Sequence, residues 1–158
     1  MSPFRTAQTG GVFSNGPHAG HRELLRTGFD NAMFMYICVV TDDSKWLRKK
    51  FLSEFIQPYH ERVGTLKAWL DIEYKGRYEI VPLHDLYAEE VILLPELEAS
   101  IICHKTLTHF DNINRIREEH GLKPLDIIMS PSFNRGVSST LIRKYIYREK
   151  YGRWPDGS

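Results

Sequence analysis

Cysteine is scarce in this chain, with only Cys38 and Cys103 among 158 residues. Each sits inside an apolar run, so both are expected as small core hydrophobes in a reducing compartment, without a disulfide between them. Long hydrophobic runs are missing as well. No stretch approaches the ~20 apolar residues that span a bilayer, and the N-terminus lacks the apolar segment of a signal peptide. A cytoplasmic protein is the expectation. Charge of one sign is also lacking: 21 Lys and Arg stand against 20 Asp and Glu, for a net charge of +1. That balance argues against a general nucleic-acid or membrane-surface binder, so any basic character must be local. Internal repeats and low-complexity tracts are absent too. The 42% of hydrophobic residues suffices for one core, in a single domain over 1–146 with a loosely held tail over 147–158.

Strand and helix patterns alternate along the chain. Phe4 to Thr9 is a weak first strand, followed by a glycine-rich turn. A helix over His21 to Ala32 places Leu24, Leu25, Phe29 and Ala32 on one side. The continuously apolar Met33 to Thr41 reads as a parallel strand covered on both faces. Thr41-Asp42-Asp43 offers N-cap chemistry to a basic helix or loop, Ser44 to Phe55. Pro58 opens a further helix that carries Val63, Leu66, Trp69 and Leu70 inward. Tyr78 to Leu83, Ala99 to Cys103 and Asp126 to Met129 read as strands. Thr106 to His120 reads as a helix closed by Gly121, and a last helix starts near Ser138. Such alternation predicts an α/β, Rossmann-like, doubly wound parallel sheet with helices on both faces, binding its ligand beyond the carboxyl ends of the strands.

Two elements at those ends carry the chemistry. Gly10-Gly11-Val12-Phe13-Ser14-Asn15-Gly16-Pro17-His18-Ala19-Gly20-His21 runs from a strand into a helix. Gly136-Val137-Ser138-Ser139-Thr140-Leu141-Ile142-Arg143 does the same near the end of the chain. Helix starts expose unpaired N–H groups and a positive dipole end, so both are natural phosphate seats. One with paired histidines and one with hydroxyls and an arginine suggest a triphosphate held while its α-phosphate is attacked. The bland readings are surface histidines or a metal pair for His18 and His21, helix caps for the hydroxyls, turn punctuation for the glycines, and a solvated face for Arg143. A zinc site would need further ligands nearby, and the cysteines are better explained as core.

His18-Ala19-Gly20-His21 resembles the HxGH motif, and Val137 to Arg143 the ISSTxxR motif, of the nucleotidyltransferase superfamily. Ile56-Gln57-Pro58-Tyr59-His60-Glu61-Arg62-Val63, Tyr78 to Tyr87, Pro95 to Ala99, and Ile113 to Arg117 with Gly121 to Leu125 are similar to segments of the archaeal and eukaryotic type of phosphopantetheine adenylyltransferase. The likeness spans Gly10 to Arg143. It implies transfer of AMP from ATP to 4′-phosphopantetheine, giving dephospho-coenzyme A and pyrophosphate. Cytidylyltransferases and nicotinamide mononucleotide adenylyltransferases share both terminal motifs, and a catalytically weakened nucleotide-binding protein is an alternative of another class. Departures are present. Val12 and Ser14 replace the family's usual Thr and Asp, the loop before His18 is one residue longer, and His104-Lys105-Thr106 replaces an acidic pair before a threonine.

The resemblance also implies roles. His18, His21, Lys50 and Arg143 would be catalytic. Gly11, Val12, Phe13, His18, Gly20, His21, Ser138, Ser139, Thr140 and Arg143 would bind the nucleotide, with Gly20 allowing close approach. Ser138 would cap its helix, while Ser139 and Thr140 meet the β- and γ-phosphates. Ser14, Lys50 and Arg62 would bind the acceptor, Arg62 having a structural ion pair as its other reading. Trp46, Trp69, Phe110 and Tyr145 are read as packing residues, and His84, His109 and His120 as ordinary histidines. No carboxylate cage for a metal is visible, so Mg²⁺ is expected only with ATP. The partners implied are ATP and a small phosphorylated acceptor, with no nucleic acid and no membrane.

Overall fold

A computed structural model describes residues 3–103, 107–131 and 138–157, with backbone alone at 107–110. The expectations placed on His104-Lys105-Thr106, on Gly136-Val137, and on the His109 and Phe110 side chains lie outside the described residues. Five strands form the sheet: β1 (Phe4–Gly11), β2 (Ala32–Val40), β3 (Tyr78–Leu83), β4 (Ala99–Ile102) and β5 (Asp126–Met129). All pairings are parallel, in the order β3-β2-β1-β4-β5. The chain winds outward from β1 to one edge, then returns to wind toward the other. This is the α/β Rossmann-like arrangement, with its switch point between β1 and β4.

Alternation along β2 feeds both faces. Met35, Ile37 and Val39 join one core with Leu25 and Phe29 of α1 (Ala19–Asn31) and Leu66 and Leu70 of α3 (Tyr59–Glu73). Cys38 and Val40 join a second core with Val91 and Ile92 of α4 (Glu89–Ile92) and Ile113 of α5 (Leu107–Glu119). β2 is thus buried on both faces, as its apolar run implies. Cys38 is buried, and burial, with Glu90 adding to it, pushes its thiol up to about 12, which leaves it an inert core group. Among the described residues no helix is long and apolar enough to cross a membrane.

The largest departures from the sequence expectations fall beyond β2 and at the C-terminal end. Ser44 to Phe55 is neither one helix nor one loop. A short helix, α2 (Lys45–Arg48), leads to a left-handed Leu52 (φ 56) and a 3₁₀ turn at Ser53–Phe55. Ser44 caps α2 by accepting from the Trp46 N–H, whereas Asp42 accepts from the Tyr59 N–H at the start of α3. At the end, α6 (Ser139–Tyr151) runs past the expected domain boundary and closes on Gly152 at φ 73. The segment beyond folds back: Trp154 meets the Tyr145 ring edge-on and lies under Arg148, and Pro155 is buried.

Candidate active site

β1 ends at the switch point, and the chain turns through Phe13 (φ 55) and Asn15 (φ 56) before entering α1. His18 is the N-cap of α1. Its Nδ1 accepts from the N–H groups of Gly20 (3.0 Å) and His21 (3.4 Å), and His21 Nδ1 accepts from the His18 N–H (3.3 Å). The two rings stack at 3.6 Å, and the Phe13 ring leans on His21 at 5.1 Å. This is a capping box built from imidazoles. Its chemical consequence is definite. With both Nδ1 atoms accepting, the ring proton of each neutral histidine sits on Nε2. Burial, and then the neighbouring His18 ring, push His21 down to about 3; burial lowers His18 as well. The helix start thus presents neutral N–H donors, and its first turn holds no acidic side chain to compete for the dipole.

α6 begins beside this turn. Ser138 caps it by accepting from the Leu141 N–H at 3.1 Å, and its first turn is likewise free of acidic side chains. The Ser139 hydroxyl donates to the Ser14 carbonyl at 3.0 Å. Arg143, buried to 2% exposure, donates to Ser14 Oγ (3.2 Å), to the Phe51 carbonyl (3.0 Å) and, longer, to Thr140 Oγ1 (3.4 Å). The two helix starts therefore meet at Ser14, although 125 residues separate Ser14 from Ser139. Burial draws the Arg143 guanidinium below its ordinary value, with Glu54 opposing.

The protein's own contacts engage several of the expected site residues. Ser14, expected at the acceptor, is fully buried and its hydroxyl faces Arg143. Ser139 spends its hydroxyl proton on protein. Phe13 is a buried prop beneath His21 and Gly11 faces its ring, where an added Cβ would lie 3.3 Å from Phe13. Val12 packs against the second core, its carbonyl taken by Arg62. Arg62 itself is 1% exposed and uses four of its five N–H donors on the carbonyls of Val12, Val40 and Gln57 and on Asp42. It braces the turn from α3, in line with its structural reading. Arg143 is also engaged with protein, not held out as a mobile phosphate hand.

Lys50 stands on the connection after α2, with its Nζ 5.7 Å from the centre of the Trp46 ring. Trp46 lines a narrow cleft along the carboxyl ends of β1 to β4, walled by Gly10, Gly11, Leu83, Tyr87 and Ser100. Gln8 donates to Ser100 at 2.6 Å across the switch point, within the same wall. Sequence reasoning missed Gln8, Tyr87 and Ser100. The outward winding from β1 was the available signal, since it places the ends of β1 and β4 side by side. Among the described residues no group of His, Cys, Asp or Glu could hold a metal.

A parallel sheet with two anion-ready helix starts meeting at its switch point defines a nucleotide-handling α/β domain. The chain belongs to the cytidylyltransferase-like family, whose model matches residues 9–145. It is 33% identical to phosphopantetheine adenylyltransferase of Thermococcus kodakarensis, over 89% of this chain and 85% of that one. It is also 33% identical to the Pyrococcus abyssi enzyme of the same name, over 90% and 91%. A solved structure of a protein of unknown function from Archaeoglobus fulgidus superposes with a TM-score of 0.67, at 21% identity, over 85% of this chain and 96% of that one. A putative nicotinate-nucleotide adenylyltransferase of Vibrio parahaemolyticus gives a TM-score of 0.55 at 13% identity, over 93% and 82%. These two likenesses concern the fold.

Proposed function

We propose that this protein transfers AMP from ATP to 4′-phosphopantetheine, releasing pyrophosphate and forming dephospho-coenzyme A. The carrying observation is the meeting of the two helix starts at Ser14. A single triphosphate seated there is met from α1 by imidazole Nε2–H groups and from α6 by backbone donors, and both helix dipoles point at it. The adenylyltransferases that this chain resembles supply the choice of reaction and acceptor.

In the proposed reaction an oxygen of the acceptor phosphate attacks the α-phosphorus of ATP. The bond to the bridging α–β oxygen breaks, and pyrophosphate leaves with the electron pair. No protein group need become covalently attached. Catalysis is alignment plus stabilisation of charge on the pentavalent transition state. The Nε2–H groups of His18 and His21 donate to nucleotide phosphate oxygens, with His18 nearest the α-phosphate. The backbone donors at the start of α6 and the Thr140 hydroxyl hold the departing pyrophosphate. Lys50 adds positive charge on the acceptor side, and the cleft beside Trp46, lined by Gln8 and Ser100 as well as apolar groups, takes the amide-bearing arm of the acceptor. Mg²⁺ enters as part of the ATP substrate. The reading places the protein in the cytoplasm.

The test is direct. Protein with MgATP and 4′-phosphopantetheine should release pyrophosphate and form dephospho-coenzyme A. Turnover only with CTP, or only with nicotinamide mononucleotide as acceptor, would move the assignment within the family. Tight ATP binding without turnover on any acceptor would favour a binding protein. That reading draws on Val12, which brings a methyl pair where a hydroxyl is usual.

A further inference from the structure

Three described non-glycine residues have left-handed backbones: Phe13, Asn15 and Leu52. That conformation is tolerated by Asn but is costly for Phe and Leu, whose Cβ crowds the following carbonyl. Phe13 and Asn15 flank Ser14, and Leu52 follows Phe51. Ser14 and Phe51 are also the two residues outside α6 that the Arg143 guanidinium holds. All three left-handed residues thus lie beside the partners of one buried side chain, contributed by a third, distant element.

We propose that Arg143 is a positioning residue, a latch by which the seating of α6 pins the Lys50 segment and the glycine-rich turn against each other. Its planar fork suits the task. Nε reaches the Phe51 carbonyl while Nη1 reaches Ser14 Oγ, two directions that a lysine ammonium cannot serve at fixed geometry. The Phe51 carbonyl lies one residue beyond Lys50, so the same bond that stabilises the left-handed turn at Leu52 sets where Lys50 begins. Packing adds to it: the Lys144 ammonium lies 5.9 Å from the Phe51 ring centre, and Tyr147 of α6 meets Phe55 edge-on at 6.2 Å. On the turn side, Ser139 doubles the hold through the Ser14 carbonyl. No carboxylate of the described residues forms an ion pair with Arg143. Its charge therefore also favours an anion in the adjoining seat without leaving its protein partners.

This inference rests on the proposed role of Lys50, and its test separates the two. Arg143→Lys keeps the charge and removes the fork. In the nucleotide-free protein, amide exchange over residues 49–55 should rise at least tenfold. In turnover, kcat should fall by about a hundredfold while KM for ATP stays within threefold. Adding Leu52→Gly to that variant, which removes the left-handed cost at the turn, should restore kcat at least tenfold. Ser14→Ala, a milder change that keeps the guanidinium, should speed exchange over residues 12–16 at least threefold. A direct phosphate ligand would give another pattern, with unchanged exchange, KM for ATP raised as steeply as kcat falls, and no rescue by Leu52→Gly. Any of those three results would overturn the latch. If the wild-type protein turns over no acceptor, the functional reading fails, and the exchange measurements still judge the latch.

Discussion

His18 performs two tasks with opposite ends of one ring, and a pair of substitutions can part them. Nδ1 caps α1 by accepting from Gly20 and His21, and Nε2–H is the donor left for a phosphate oxygen. In His18→Asn, Oδ1 takes the place of Nδ1, and Asn is among the best N-cap residues. The cap survives and the distal donor is lost. In His18→Ala both are lost. Losing the cap costs about 1 kcal/mol, which for a domain of this size lowers Tm by roughly 2–4 °C. Losing one donor aimed at the charge that develops in the transition state costs about 100- to 1,000-fold in kcat.

The expected pattern is therefore asymmetric. His18→Asn should melt within about 1 °C of wild type, a few tenths of a kcal/mol, and His18→Ala should melt clearly lower. Both should be slowed alike in continuous pyrophosphate release. Thermal unfolding and turnover on the same preparations decide the matter. An asparagine variant that keeps more than a tenth of the wild-type rate would refute the Nε2–H assignment. Equal melting of the two variants would refute the capping role.

Other consequences are quickly checked. Arg62→Met leaves the buried carbonyls of Val12, Val40 and Gln57 without their donor, at about 1 kcal/mol or more each; a Tm lowered by at least 6 °C is expected, and a shift under 2 °C would show that the brace is not needed. At Gly16 an added Cβ would stand 2.2 Å from the His18 backbone nitrogen and 2.7 Å from His21 Nδ1, so Gly16→Ala should abolish turnover, and a fully active variant would contradict the turn geometry. Because folding lowers the histidine pKa values, the unfolded chain binds more protons below the ordinary value of 6.5. Stability should be flat above that pH and fall as pH drops toward 3, by up to about 1.4 kcal/mol per pH unit for His21. Denaturant titrations at pH 5 and 7 measure this, and replacing His21 should flatten the slope.

Much of the fold was legible because β2 is apolar without a break and α1, α5 and α6 are amphipathic. Periodicity alone then requires a parallel sheet buried on both faces. The two helix starts were legible for a related reason, since glycine, histidine and serine there mark strand-to-helix turns. The partners of arginine were not legible. Nothing local tells that Arg62 turns inward to backbone carbonyls, or that Arg143 lies over Ser14 and Phe51 instead of facing solvent. Both outcomes are set by contacts tens of residues away in sequence. The stretch from Ser44 to Phe55 was opaque on similar grounds. Its helical propensity is overridden at Leu52, where a tertiary bond to the Phe51 carbonyl favours a conformation that leucine avoids on its own.

Those two arginines explain how a small domain keeps an anion site in order when no anion is present. A phosphate seat is a cluster of unsatisfied N–H donors and positive dipole ends, which repel one another in an empty protein. Covering it with carboxylates would quiet the repulsion and block the ligand. Here the cationic groups are instead turned mainly onto backbone carbonyls, with the hydroxyls of Ser14 and Thr140 meeting Arg143 and a single carboxylate, Asp42, meeting Arg62. The histidines complete the same logic by remaining neutral. Protonation of either Nδ1 would set an N–H against the N–H groups it now accepts from, at the positive end of α1. The site thus offers donors without mobile charge, and in the proposed reaction the charge it needs would enter with Lys50 and with the magnesium carried by ATP.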